Sequence, residues 1–217
     1  MADMHGERLV YEVVTPREGT APHPVLLLLH GRGADEHDLL GLAEAVDPRL
    51  LILSARAPLP LAGGFMWYAI EGIGVPDQRH LRASLTLIDR LLQTAVAEHQ
   101  GDASRLFALG FSQGAAMAGG LLLTGVHLAG AVMLSGYVPT GAGLDEQPEA
   151  LKGRPVFVGH GTRDGVIPLS FAHDTRAFFE EHGAGLSYHE YPMAHQISQQ
   201  ELADVDAWLR ARLDGVS

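Results

Sequence analysis

The sequence predicts an α/β fold, a mostly parallel sheet flanked by helices on both faces. Short apolar runs alternate along the chain with stretches of helical spacing, and no internal repeat or low-complexity tract breaks the rhythm. Several runs, above all Val25-Leu26-Leu27-Leu28-Leu29, are apolar without alternation, which suits strands buried on both faces. The 217 residues are 47% hydrophobic and 19% charged, a balance that supports one domain over 1–217 with a core large enough to need no staples. There is no cysteine, so disulfides, thiolate metal sites and a cysteine nucleophile are excluded.

The elements follow in order. Residues 7–14 alternate partially and read as an edge strand, and 25–29 is a buried strand ending at His30-Gly31. Residues 35–46 have helical spacing, with Leu39, Leu40, Ala43 and Val46 on one face. Residues 50–53 form a short buried strand; the Pro- and Gly-rich 57–64 is loop, and 53–77 leaves room for loops only. A long helix is predicted over 77–99 through Leu81, Leu85, Ile88, Leu92 and Val96. Residues 105–111 are a strand running into Ser112, and 113–123, small and apolar all round, is a buried helix. The second half repeats the pattern: strand 129–135, loop 139–153, strand 155–159, helix 168–182, alternating strand 185–191 and closing helix 199–213. In that last helix Leu202, Val205, Trp208 and Leu209 point inward.

Charge narrows the partners. Fifteen Lys+Arg against 26 Asp+Glu give a net charge of −11, and Lys152 is the lone lysine. Such a surface repels nucleic-acid backbones and anionic membranes. The first residues mix charges with apolar groups and lack a signal-peptide core, and the aliphatic block 25–29 is far too short to span a bilayer. The expectation is a cytoplasmic protein without membrane insertion.

In sheets of this kind chemistry gathers at the carboxyl ends of the strands. The most specific signal there is Gly110-Phe111-Ser112-Gln113-Gly114, which follows a buried strand and opens a helix. A serine in that sharp turn projects its hydroxyl above the sheet, and small neighbours two residues either side let the turn close. The competing reading is a plain Gly-rich turn, but partners for a nucleophile also appear. An acid is supplied by Asp164, just past strand 155–159; Asp145, Glu146 and Glu149 read as solvated loop charges and Asp174 as a helix-surface residue. Among His173, His182, His189 and His195, only His195 lies in the loop between the last strand and the last helix. The pattern predicts Ser112 as nucleophile, His195 as base and Asp164 as the residue that orients the imidazole. Oxyanion donors are expected from the backbone N–H of Gln113, directly after the nucleophile, and of Arg32, in His30-Gly31-Arg32-Gly33. His30 itself reads as a brace for that loop. The loop lacks a Walker lysine and G-x-G-x-x-G spacing, so it is not read as a nucleotide cradle. Twelve histidines include no HExxH, so no metal and no cofactor are expected. Phe65, Trp67, Tyr68 and Tyr137 are candidate walls of a substrate pocket, with a core plug as the alternative for the first three.

Together LLLLHGRGADEHDLL, the Arg56 and Trp67 region, LGFSQGAAMA, GHGTRDGVIP and HQIS resemble the α/β-hydrolase superfamily, and within it the phospholipase/carboxylesterase family that includes acyl-protein thioesterases. The likeness runs over nearly the whole chain, and the HGxGxDExDL form is similar to the bacterial esterase branch. It implies an α/β-hydrolase fold without a separate cap domain. It also implies Ser112, Asp164 and His195 as the triad, with the Arg32 and Gln113 amides as oxyanion donors. The implied activity is a serine carboxylesterase acting on small to medium acyl or aryl esters. Thioester, lysophospholipid or C–C bond hydrolysis would use the same triad, whereas a non-catalytic binding protein of this fold would have lost a member of it. Where thioesterase members usually carry Trp-Phe-Asp, this chain has Trp67-Tyr68-Ala69. Monomer and homodimer are both open.

Overall fold

The structure is a computed structural model that describes residues 8–215. The first residue of the predicted edge strand, Glu7, lies outside the described residues, as does most of the N-terminal segment read for a leader.

Seven strands form one sheet in the order β1-β3-β2-β8-β9-β10-β11: β1 (Tyr11–Val14), β2 (His23–Leu29), β3 (Leu51–Ala55), β8 (Gly101–Phe111), β9 (Gly130–Leu134), β10 (Pro155–Gly161) and β11 (Gly185–Tyr191). Only the edge pair β1–β3 is antiparallel. Four α-helices cover it: α1 (Gln78–Glu98), α2 (Gln113–Leu123), α3 (Leu169–Glu181) and α4 (Gln199–Leu213). β2 shows why the strands carry no alternation. Val25, Leu27 and Leu29 join the core under α1, α2 and α3, whereas Leu26 and Leu28 join the opposite core with Val205, Trp208 and Leu209 of α4. Both faces of the strand are dry, so both must be apolar.

Helix α1 starts at Asp77, whose side chain accepts the His80 N–H, and it buries Leu81, Leu85, Ile88 and Leu92 as the spacing predicts. All eleven residues of α2 are buried, which explains its lack of a polar face.

Three sequence expectations need correction, the smallest being that the 139–153 loop holds a 3-10 turn at Pro148–Leu151. The stretch 35–46 forms only a short 3-10 helix, Leu40–Glu44, without a side-chain cap. Its apolar face is real, since Leu39, Ala43 and Val46 are buried, but Gly41 sits inside it and Pro48 follows soon after, too little chain for a stable α-helix. The stretch 53–77 is not loop alone. It holds two small hairpins, β4 (Leu59–Leu61) with β5 (Gly64–Met66) and β6 (Ile70–Gly72) with β7 (Val75–Pro76). Strands of two or three residues fall below the length at which alternation is detectable.

Candidate active site

Three strand ends and the loops that leave them converge on Ser112. The residue itself has φ +54° and ψ −115°, a left-handed conformation rare outside glycine, at the junction of β8 and α2. Its N–H donates to Leu134 O at 2.8 Å, which fixes the turn against β9. The flanking glycines are required by close approach. A Cβ on Gly110 would overlap the carbonyl of Gly114, and one on Gly114 would overlap that of Leu29.

The Ser112 hydroxyl donates to His195 Nε2 at 2.9 Å, and His195 Nδ1–H donates to Asp164 Oδ2 at 2.7 Å. The other Asp164 oxygen, Oδ1, accepts the N–H groups of Val166 and Ile167 at 2.8 and 2.9 Å. Burial would raise the Asp164 carboxyl, but these hydrogen bonds, led by that from His195, outweigh it and hold the group below the usual aspartate value. A fixed anion therefore sits behind the imidazole. The loops carrying acid and base are tied by backbone: Thr162 N–H donates to Tyr191 O at 2.8 Å and Arg163 N–H to Met193 O at 3.0 Å. The other candidates are elsewhere. His173 pairs with Glu190, His182 with the Phe178 carbonyl, and His189 stacks on Phe157; Asp174 is exposed on α3.

The loop of Gly31 and Arg32 lies directly over the Ser112 turn, since a Cβ on Gly31 would sit 3.5 Å from Ser112 Cβ. His30 is buried and braces it, Nδ1–H donating to Gly31 O at 2.7 Å and Nε2 accepting the Ala57 N–H at 3.0 Å. Burial lowers its pKa and so favours the neutral ring that this pattern needs. The same loop is pinned to β3 by Glu36, which Arg56 holds through both oxygens.

Residues 65–68, the expected pocket wall, do something different. Gly33 N–H donates to Phe65 O and Phe65 N–H to Ala34 O, at 2.7 and 2.8 Å. Trp67 Nε1–H donates to His30 O at 2.9 Å. The Gln113 side chain accepts the Trp67 N–H at 2.7 Å and donates to Tyr68 O at 2.8 Å. The segment thus bridges the Arg32 loop and the start of α2, the two places that carry the expected oxyanion amides. Trp67 is 0% and Tyr68 1% exposed, so neither ring presents a surface to a ligand: both are core. Phe65 is half-buried beneath the Arg56 guanidinium. Tyr137 shares a hydroxyl hydrogen bond of 3.1 Å with Tyr68 and also borders a cavity of about 160 Å³ between residues 137–140 and α3, with Phe171, Thr175 and Phe178 among its walls.

Sequence reasoning missed three residues near the site. Phe111, whose ring lies 4.9 Å from that of His195, stood in the motif as its variable position. His160, with Nε2 3.6 Å from Asp164 Oδ2, was visible only as part of His160-Gly161. Glu201 was visible only as the last residue of Ser198-Gln199-Gln200-Glu201, a helix-start pattern that says nothing of burial. Glu12, Glu36 and His37 also bring possible ligand atoms within 4.8 Å of one another, but both oxygens of Glu36 are already taken by Arg56.

A strand–Ser–helix elbow on a mostly parallel sheet, with an imidazole and a carboxylate in line, defines an α/β-hydrolase fold. The sequence model described as Phospholipase/Carboxylesterase matches residues 10–213, and the chain belongs to that family. MhqD of Bacillus subtilis is 31% identical over 194 residues, covering 89% of this chain and 95% of that one. Acyl-protein thioesterase 1 of Kluyveromyces lactis is 30% identical, covering 87% and 92%. The crystal structure of the Bacillus cereus carboxylesterase superposes with a TM-score of 0.85 at 28% identity, covering 96% and 97%. The chain is a hydrolase of the carboxylesterase and acyl-protein thioesterase family. No described helix is long and apolar enough to cross a membrane.

Proposed function

We propose that the protein is a serine carboxylesterase that cleaves small to medium acyl or aryl esters through an acyl-enzyme. The observation that carries this reading is the unbroken line of hydrogen bonds from Ser112 Oγ to His195 to Asp164. Serine alone is a weak nucleophile. As Ser112 Oγ attacks the ester carbonyl, its proton passes to His195 Nε2, and the C–O π electrons move onto the carbonyl oxygen. That oxyanion is received by the N–H groups of Arg32 and Gln113. Collapse expels the alkoxide, which takes the proton from His195 and leaves as the alcohol. Water then attacks the acyl-serine, giving its proton to His195, and the second collapse returns that proton to Ser112 and frees the acid. Throughout, Asp164 stabilises the imidazolium without being protonated itself.

The cavity beside Tyr137 is the proposed seat for an acyl or aryl group. Residue 136 abuts the nucleophile, since a Cβ on Gly136 would lie 2.8 Å from Ser112 O, and the cavity begins with the next residue. Its walls combine Tyr137, Val138, Phe171 and Phe178 with the hydroxyls of Thr140 and Thr175 and, on exposed α3 surface, the Asp174 carboxylate; the aromatic and aliphatic part suits an apolar group of modest size. Relatives named acyl-protein thioesterase support a second reading, thioester cleavage by the same groups. Labelling with a fluorophosphonate probe, followed by a matched panel of ester and thioester substrates, tests both. Label on Ser112 and turnover of short esters are expected. No label on folded protein would overturn the serine mechanism, and turnover of thioesters alone would replace the first reading with the second.

A further inference from the structure

Glu201 is fully buried, 0% exposed; among the described residues no cation pairs with its carboxyl and neither oxygen makes a hydrogen bond of ordinary geometry, the backbone N–H of Ser198 being the donor close enough to favour its charged form. A buried carboxylate without a cation or donors is costly, so such a group persists as the neutral acid or does not persist. Its surroundings tie it to the site. Glu201 stands in the first turn of α4, whose N-cap Ser198 accepts the Glu201 N–H at 3.1 Å, and His195 lies three residues before that cap. Across the interface it rests on β10, where a Cβ on Gly159 would overlap Glu201 Oε1. Gly159 is five residues before Asp164, and its carbonyl accepts the Ser135 N–H at 2.9 Å. The preceding carbonyl on β9, that of Leu134, accepts the Ser112 N–H.

We propose that Glu201 is a positioning residue whose buried carboxyl keys the start of α4 onto β10 and so sets how His195 meets Asp164 and Ser112. This rests on the reading of those three residues as the catalytic set. The groups that face it are few. Asp204, one turn along α4, is the nearby charge; Tyr191 of β11 donates to Asp204 Oδ2 at 2.9 Å, and His189 of β11, paired in register with Gly159, lies on the same face of the sheet, stacked on Phe157. From β10 and β9 it meets Gly159 and, beside that, Leu134, neither of which titrates. Burial pushes the Glu201 carboxyl up to about 8; the Ser198 N–H opposes the shift and Asp204 adds to it. Ionisation would set a second negative charge beside Asp204 in a dry site. Movement of the first turn of α4 would relieve that, and the His195 loop is attached to that turn.

The test uses whole protein labelled with 15N-histidine, with the His195 signals assigned by their loss in His195→Gln. The wild-type ring signals are expected to show an inflection near pH 8, and Glu201→Gln to abolish it. On a short ester, wild-type kcat/KM should fall above that pH, towards tenfold per unit, while Glu201→Gln stays level and matches wild type at pH 7. A purely structural carboxyl would alter melting temperature in Glu201→Gln and leave both inflections in place, which overturns the proposal. Should Glu201→Gln not fold, the 13C carboxyl titration of Glu201 in the wild type decides. Coincidence with the His195 inflection supports the proposal, and ordinary glutamate behaviour refutes it. If no ester or thioester is turned over, the catalytic reading falls, while the NMR arm still decides whether Glu201 governs His195.

Discussion

Replacing Trp67 separates a brace from a pocket wall. The ring has no accessible surface, lies 5.4 Å from the His30 ring, and gives its N–H to the His30 carbonyl. Trp67→Ala therefore opens a void in the core, at a cost of about 3–5 kcal/mol. Trp67→Phe keeps most of the volume but leaves the His30 carbonyl unpaired, at about 1–3 kcal/mol. For a chain of this length each kcal/mol lowers Tm by roughly 2–4 °C, so the alanine variant should melt about 6–20 °C lower and the phenylalanine variant about 2–12 °C lower. The catalytic consequence has a distinct form. A displaced His30–Arg32 loop would weaken the proposed oxyanion site for every substrate alike, so kcat/KM should fall by one factor across acetate, butyrate and hexanoate esters. A wall in contact with the acyl chain would instead lose up to about 0.8 kcal/mol per methylene, roughly fourfold for each added carbon. Calorimetry and the three-ester series on one preparation supply both readings. An unchanged Tm with a loss that grows from acetate to hexanoate would refute the assignment of Trp67 to the core.

Ser112→Ala should lower kcat by about 10⁵–10⁶-fold with the melting temperature little changed, and near-normal turnover by folded variant would exclude Ser112 as nucleophile. Glu201→Gln should change the pH dependence of stability. With its folded pKa raised to about 8 from 4.5, the wild type loses stability as pH rises between those values, because only the unfolded chain releases the proton. Between pH 5 and pH 9 the variant should therefore gain about 4 kcal/mol on the wild type in urea unfolding. A difference independent of pH would show that the carboxyl titrates normally. Gly114→Ala drives a methyl into the Leu29 carbonyl, and should cost about 1–3 kcal/mol and reduce kcat by shifting the start of α2. An alanine variant that melts and turns over like the wild type would contradict the close packing of α2 on β2.

The long elements were legible because each satisfies one rule without competition. Helix α1 has a cap, a clear apolar stripe and enough turns, and β2 is apolar throughout because it is dry on both sides. Ser112, Asp164 and His195 could be chosen because each follows a strand end, the one place where topology and residue type agree. What escaped was set by contacts distant in sequence. Trp67 and Tyr68 look like pocket aromatics from composition, and only the Gln113 side chain, 46 and 45 residues away, shows that they are clamped into the core. Glu201 reads as a helix-start acid, which is ordinary at an exposed N-terminus; its burial depends on the absent side chain of Gly159. The hairpins at 59–76 are too short to carry a period at all.

The clamp on residues 65–68 reads mostly main-chain atoms: the carbonyl and N–H of Phe65, the N–H of Trp67 and the carbonyl of Tyr68. Of the side chains in the segment, the indole of Trp67 takes part in the clamp, and Tyr68 is fixed separately, buried and hydrogen-bonded to Tyr137. Phe65 and Ala69 are the half-buried positions whose side chains the clamp does not read. The registry between the Arg32 loop and α2 is thus carried by the backbone of the segment, and side chains at 65 and 69 can be exchanged without loosening the hold of one loop on the other.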